Sequence, residues 1–127
     1  MDREALLVRY ETLAANRRHF EALFFAVTAF SCSFGLASWA AVTILAAIPG
    51  AALLATGAIL SGGAFIAHRL MQRERSSYDA MASTWNRIAG HAVVEGRSRV
   101  RPGAMAIAVS GQGLAGLVLV VAGALTL

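Results

Sequence analysis

Side chains that could carry out chemistry are few in this chain, and they are far apart. The 127 residues include one cysteine, Cys32, and three histidines, His19, His68 and His91. Cys32 stands inside an apolar run with no cation near it in sequence to favour a thiolate, so we expect it to be a packing residue. A metal site would need the histidines to converge, and they are spread along the chain. We predict no catalytic residue, no metal site, no cofactor and no enzymatic activity.

Two polar residues stand out because their surroundings are apolar. Glu21 begins the first apolar run, and Gln112 lies between two glycines inside the last one. A carboxyl at the start of a membrane helix could couple proton movement to transport, as in the four-helix small multidrug transporters, but this chain lacks a fourth apolar run. A salt bridge at the membrane edge is the interpretation we favour for Glu21. Gln112 is expected to hydrogen-bond across a helix interface or, alternatively, to line an aqueous path.

The elements that must hold these residues are three long apolar runs, at about 21–48, 51–67 and 103–127. Only 14% of the residues are charged, whereas an ordinary soluble domain has about 25%. A helix needs about 20 apolar residues to cross a bilayer, and too little polar sequence is present to cover three such runs in water. The sequence therefore predicts an all-α integral membrane protein with three transmembrane helices.

The basic residues predict the orientation of these helices. All eleven are arginines, and they lie before the first run or between the second and third. Because cationic flanks stay cytoplasmic, we expect the N-terminus inside and the C-terminus outside a bacterial cytoplasmic (inner) membrane. Arg17-Arg18 before an aromatic residue resembles an export signal, but the sequence continues into further membrane segments. The arginines border membrane helices rather than a soluble face, which argues against a nucleic-acid partner despite the net charge of +4.

The sequence predicts four segments: a cytoplasmic amphipathic helix at 1–20, a transmembrane helical hairpin at 21–70, a cytoplasmic amphipathic helix with a basic linker at 71–102, and the third transmembrane helix at 103–127. No breaker separates either amphipathic helix from the membrane helix that it adjoins. Pro49-Gly50 predicts the turn of the hairpin. Gly90 and Gly96, followed by 101–103 (Arg-Pro-Gly), are expected to end the second amphipathic helix.

Both amphipathic segments carry apolar stripes spaced three and four residues apart, which is typical of paired helices. We expect them to extend the hairpin into the cytoplasm as an antiparallel stalk, with Arg17 or Arg18 facing Asp79 and Leu13 facing Trp85. Helices lying flat on the inner leaflet are the alternative. The residues predicted at the stalk interface are Tyr10, Leu13, Tyr78, Met81, Trp85 and Ile88.

Small residues recur along one face of each membrane helix, and such spacing lets helix backbones approach closely in lipid. The predicted packing positions are Ala29, Ser33, Ala37, Ala55, Ala58, Gly62, Ala108, Gly111 and Ala115. Three faces exceed what a lone three-helix chain needs, so we expect a membrane-protein partner or further copies of the chain, besides membrane lipid.

Three functions are compatible with these features. The first, which we favour, is an accessory or structural subunit that joins a membrane complex through its small-residue faces and its stalk. The second is a self-assembling pore or effector, because the order of helices is similar in layout to that of small two-helix bacterial membrane effectors. The third is a small oligomeric transporter. Few polar residues repeat along a membrane face, which favours the first.

Overall fold

The computed structural model describes residues 2–45, 49–91 and 103–126. These residues form three helices, α1 (Arg3–Leu45), α2 (Pro49–Ala89) and α3 (Ala104–Thr126). Each helix is long and apolar enough to cross a membrane. The prediction of an all-helical chain with three such helices is confirmed, and the chain is a multi-pass membrane protein.

Two of the helices are much longer than a bilayer is thick. α1 has 43 residues and α2 has 41, so at 1.5 Å per residue each is about 60–65 Å long, roughly twice the 30 Å of a hydrocarbon core. No proline interrupts either helix after its first residue. The amphipathic segments and the membrane segments are therefore parts of the same continuous helices.

The helix ends partly differ from the sequence prediction. Pro49 and Gly50 are the first residues of α2 rather than a turn, because proline is well suited to the first position of a helix, where its missing N–H is not needed. Gly90 has a φ of 76° directly after the last residue of α2, a left-handed conformation in which glycine ends helices. Its predicted role is confirmed, while Gly96 and 101–102 lie outside the described residues.

α2 is the central helix, and it packs against both α1 and α3. Tyr10 of α1 contacts Trp85 near the end of α2, whereas Gly35 lies against Leu60, so the two helices run antiparallel. Contacts between α1 and α3 are few within the described helices. The buried apolar core lies where all three meet and consists of Phe24, Ala67, Met71 and Val109.

Glycines allow α2 and α3 to approach very closely. A Cβ atom added at Gly57 would lie 2.7 Å from both the carbonyl oxygen of Gly116 and the backbone nitrogen of Val120. A Cβ at Gly123 would lie 2.7 Å from the backbone nitrogen of Leu54. Lipid tails are as apolar as the side chains, so the hydrophobic effect does not drive helices together inside a bilayer. Close backbone-to-backbone packing of this kind is therefore a main source of attraction between them.

The long helices project beyond α3 at one end. Met105 and Ala106, in the first turn of α3, pack against the core cluster that includes Met71. From Met71 to the end of α2 at Ala89 is about 27 Å at 1.5 Å per residue. Over this length α2 packs against the first part of α1, as the contact between Tyr10 and Trp85 shows.

Candidate functional site

Gln112 links all three helices through hydrogen bonds. Its Nε2 atom donates to Ser31 Oγ of α1 at 2.8 Å and to the backbone carbonyl of Leu60 in α2 at 3.1 Å. Ser31 Oγ in turn donates to the carbonyl of Val27 at 2.7 Å. Because a buried amide is costly unless it is hydrogen-bonded, these contacts explain how a polar side chain is accommodated between apolar helices.

Gly63 of α2 makes room for this amide. A Cβ atom added there would collide with the side chain of Ser31 and would lie 2.8 Å from Gln112 Nε2. The glycine therefore permits α1 and α3 to bring their polar groups together over α2. Neither Ser31 nor Gly63 was singled out from the sequence, because their role depends on the alignment of three helices.

Three further polar atoms are buried near this junction. Thr28 Oγ1, Thr56 Oγ1 and Gln112 Oε1 have no hydrogen-bond partner among the residues the structure describes. The side chains of Thr56 and Gln112 belong to residues that are only 4% and 8% exposed. Unsatisfied buried polar groups are rare in folded proteins, and these three atoms are enclosed by the surrounding side chains.

All three residues line an elongated groove, here called the α1/α3 groove, with α1 and α3 as its walls and α2 as its floor. Its volume is about 690 Å³, which falls within the range of about 300–1,000 Å³ typical of ligand pockets. The residues that line the groove are Thr28, Cys32, Gly35, Leu36, Trp39, Thr56, Leu60, Ala108, Gly111, Gln112, Ala115 and Leu119.

The predicted small-residue faces lie on the outside of the single chain. All nine positions are exposed: Ala29, Ser33, Ala37, Ala55, Ala58, Gly62, Ala108, Gly111 and Ala115. Packing within the chain uses neighbouring faces instead, where Gly57, Gly63 and Gly116 are buried. Three of the exposed positions, Ala108, Gly111 and Ala115, form part of the α1/α3 groove.

An ion pair with a buried carboxylate joins α1 and α2 outside the three-helix region. Arg17 Nε donates to Glu74 Oε1 at 2.9 Å, and Glu74 is 1% exposed. The guanidinium of Arg17 also lies 5.0 Å from the centre of the Tyr78 ring, within the range of a cation–π contact. The carboxylate that bonds Arg17 Nε is thus Glu74, whereas the sequence prediction paired Arg17 or Arg18 with Asp79.

Sequence reasoning missed Glu74, although a signal was present. Apolar Met71 precedes the predicted stalk residue Tyr78 by seven residues, and a regular heptad would place a residue of the same helix face near Glu74 between them. Charge alone argues against burial at such a position, because charged residues are rarely fully buried unless they are paired. Its partner Arg17 follows the predicted stalk residues Tyr10 and Leu13 of α1 at spacings of three and four residues.

Three of the predicted stalk residues, Tyr10, Tyr78 and Trp85, make contacts between α1 and α2. The rings of Tyr10 and Trp85 are 5.4 Å apart, with an angle of 47° between their planes. The sequence predicted that Leu13 faces Trp85. The observed ring partner of Trp85 is Tyr10, which lies about one helical turn before Leu13. The other predicted residues, Leu13, Tyr78, Met81 and Ile88, are half-buried.

The remaining reactive side chains do not come together in a site. His68 is hydrogen-bonded to Gln72 at 2.9 Å, and Cys32 is a half-buried free thiol in the wall of the groove. Within 2–45, 49–91 and 103–126, no group of three His, Cys, Asp or Glu residues could hold a metal ion. No model of a known protein family matches the chain, and neither a curated protein nor a solved structure matches it.

Proposed function

We propose that this chain is a non-enzymatic subunit of a membrane assembly that binds other transmembrane helices through its exposed small-residue faces. The observation that carries this proposal is the position of the nine small residues, all of which remain exposed after the three helices have packed. Small residues favour close contact between helices in lipid. Faces of this kind that are not used within the chain are suited to contacts with other helices.

The hydrogen bonds of Gln112 support a subunit rather than a pore or a transporter. Its amide nitrogen is engaged by Ser31 and by the carbonyl of Leu60, and bonds of this kind hold helices together. A side chain that lined an aqueous path would instead present its amide to water.

We place the projecting ends of α1 and α2 in the cytoplasm of a bacterium, as a stalk that contributes to binding. The arginine distribution supports this orientation, and the contact between Tyr10 and Trp85 supports paired helices over helices lying flat on the leaflet. The ion pair of Arg17 with Glu74 lies between the same helices. An ion pair of this kind, with one buried partner, can fix the alignment of two helices.

Site-specific photo-crosslinking tests the proposal. A photoreactive phenylalanine analogue at Ala37 is expected to form discrete adducts with protein in native membranes, because this small position lies in a predicted helix contact. The matched control is Phe34 on the same helix, which is 52% exposed and stacks on Phe30, and which should yield lipid adducts. Lipid adducts alone at Ala37, Ala55 and Ala108 would contradict the proposal.

A further inference from the structure

We infer that Arg69 and Arg73 bind the phosphate of an anionic phospholipid, one acyl chain of which lies between α1 and α2. Both arginines are exposed, and they stand four residues apart on one face of α2. The guanidinium of Arg73 lies 5.9 Å from the centre of the Phe20 ring of α1, and this contact holds it beside the boundary between the two helices. Such a lipid site is independent of the subunit function proposed above.

The two arginines lie at the level of the phospholipid head groups. α2 begins at Pro49, and from there to Arg69 it rises about 30 Å at 1.5 Å per residue, which is the thickness of a hydrocarbon core. Arg73 is about 6 Å further out, within the head-group layer that adds about 5–7 Å on each side. The long side chain of Arg69 reaches the same layer from the hydrocarbon edge. Both guanidinium groups can therefore contact one phosphate.

The other arginines near this edge of the membrane have acidic neighbours. Arg17 bonds Glu74. Arg18 and Arg75 each have an acid three or four residues further along the same helix, and side chains at these spacings are neighbours on a helix surface. These three positive charges are therefore balanced by carboxylates of the chain itself.

Arg69 and Arg73 lack such a neighbour. No acidic residue stands three or four positions from either of them in the sequence, and neither forms an ion pair within 2–45, 49–91 and 103–126. Glu21 of α1 directly follows Phe20, so it points about 100° away from the ring on which Arg73 lies. Two positive charges thus share one side of the molecule, and they are suited to binding an anion at the membrane surface.

An apolar groove leads from these arginines to the middle of the membrane. This groove, here called the α1/α2 groove, has a volume of about 600 Å³, and Ile59, Gly62 and Ile66 form much of its wall on α2. Arg69 and Arg73 continue the same row at spacings of three and four residues, so they share its helix face. From Arg69 to Ile59 is about 15 Å, half of a hydrocarbon core and thus one leaflet.

The α1 wall of the groove also leads toward the arginines. Phe20, Leu23, Val27 and Phe30 are spaced three and four residues apart, so they share one helix face, and the last two line the α1/α2 groove. The side of the molecule that carries the unbalanced arginines is therefore the side that carries the groove. A molecule with an anion at the membrane surface and an apolar chain one leaflet long is a phospholipid.

The lipid leaves most of the exposed small residues available. Ala58 and Gly62 line the α1/α2 groove and contact the acyl chain. The other seven small positions lie outside this groove. The helix contacts proposed above therefore use α1, α3 and Ala55 of α2.

Lipid binding measured by native mass spectrometry tests the inference. The purified full chain is titrated in detergent with phosphatidylglycerol or with phosphatidylcholine of the same acyl chains, so the two lipids differ in the charge of the head group. The unmodified protein should bind phosphatidylglycerol more tightly. Arg69→Gln combined with Arg73→Gln should weaken phosphatidylglycerol binding by about 30-fold, as expected when two charges near an anionic surface are removed, and should abolish the preference.

Matched variants separate the site from the net charge of the protein. Arg18→Gln combined with Arg75→Gln removes the same number of charges near the same edge of the membrane and should retain the preference. Arg69→Lys combined with Arg73→Lys keeps both charges at the site and should retain most of it. Circular dichroism of each variant checks that the helices are intact.

A second pair of variants tests the place of the acyl chain. Gly62→Leu fills the α1/α2 groove, where a Cβ atom at Gly62 meets nothing within 4 Å, and should weaken the binding of phosphatidylglycerol. Gly111→Leu is the control, because a Cβ atom at Gly111 is equally unhindered but lies in the α1/α3 groove.

Several results would overturn the inference. One is equal binding of the two lipids by the unmodified protein, and another is a preference that survives the paired glutamine substitutions at Arg69 and Arg73. Equal binding by Gly62→Leu and Gly111→Leu would exclude the groove. Displacement of the lipid by inorganic phosphate at the same concentration would indicate a site for a free anion instead. Photo-adducts at Ala37 test the subunit function separately, since Ala37 lies outside the α1/α2 groove.

Discussion

Substitution of Gly57 by alanine measures the packing of α2 against α3. The added Cβ would lie 2.7 Å from the carbonyl oxygen of Gly116, 2.7 Å from the nitrogen of Val120 and 2.8 Å from Cγ2 of Val120. Real Cβ atoms do not approach other atoms this closely, and two of the three contacts are with backbone. The helices must therefore move apart, which loses contacts along their whole interface.

Overpacking of this kind costs about 1–3 kcal/mol. Alanine also raises helix propensity by about 1 kcal/mol relative to glycine, which would mask part of the loss. Gly62→Ala is the matched control, because it brings the same change in propensity on the same helix with no atom within 4 Å. The difference between the two variants isolates the packing cost and should be about 1–3 kcal/mol, roughly a 5- to 150-fold change in the unfolding equilibrium.

The assay is reversible unfolding in mixed micelles, followed by circular dichroism as the fraction of sodium dodecyl sulfate rises. Gly57→Ala should unfold at a lower fraction of dodecyl sulfate than Gly62→Ala. Equal stability of the two variants would refute the close approach of α2 and α3. Gly116→Ala offers an independent repeat from the other side of the interface, because its Cβ would lie 2.7 Å from the nitrogen of Ser61.

Three further predictions concern the ion pair, the amide and the orientation. Arg17→Met should lower the free energy of unfolding by about 1.5–3 kcal/mol, the usual range for a hydrogen bond to a charged group. Adding Glu74→Leu should restore part of the lost stability. A double variant that is less stable than either single variant argues against this pair. Gln112→Leu should weaken helix packing by about 0.6–2 kcal/mol without altering ion permeability in vesicles, and a changed conductance favours the pore. A reporter active only outside the cytoplasm should be active when fused after Leu127 and inactive near Ser76; the reverse pattern excludes the proposed orientation.

The class of the fold could be predicted because it depends on the length and composition of continuous segments of the chain. The length of an apolar run and its lack of charge decide whether a helix can span a bilayer, and no knowledge of neighbours is needed. The end of α2 at Gly90 was predictable for a similar reason, since it depends on the local freedom of glycine. The prediction of a turn at Pro49 was wrong because proline is suited both to turns and to the first residue of a helix.

The packed faces could not be predicted, because small residues occur on several faces of each helix. The stripe of Ala55, Ala58 and Gly62 on α2 has the expected spacing, yet the buried positions are Thr56, Gly57 and Gly63, shifted by about one residue. Which face of a helix is buried depends on where the backbone of the neighbouring helix passes. That path is a property of the two helices together, and the sequence of one helix does not reveal it. Local spacing therefore predicts faces that could pack, and it does not predict which helix each face meets.

The polar contacts depend on still longer-range alignment. Gln112 was recognisable as an unusual residue in an apolar run, but its partners Ser31 and Leu60 are 81 and 52 residues away. Glu74 is flanked by the charged residues Arg73 and Arg75, so its immediate neighbours do not indicate that it is buried. Its burial follows from the stripe on α2 that faces Arg17, and only the pairing of α1 with α2 brings those residues together.

The mass of the native particle tests the central claim most directly. The protein can be extracted from its own membranes together with the surrounding lipid, using a nanodisc-forming copolymer, and weighed by native mass spectrometry. A subunit that binds other helices through its exposed faces should appear in a particle that contains a second polypeptide, either another copy of the 13.3 kDa chain or a different membrane protein. A single chain of 13.3 kDa, alone with lipid, would contradict the account.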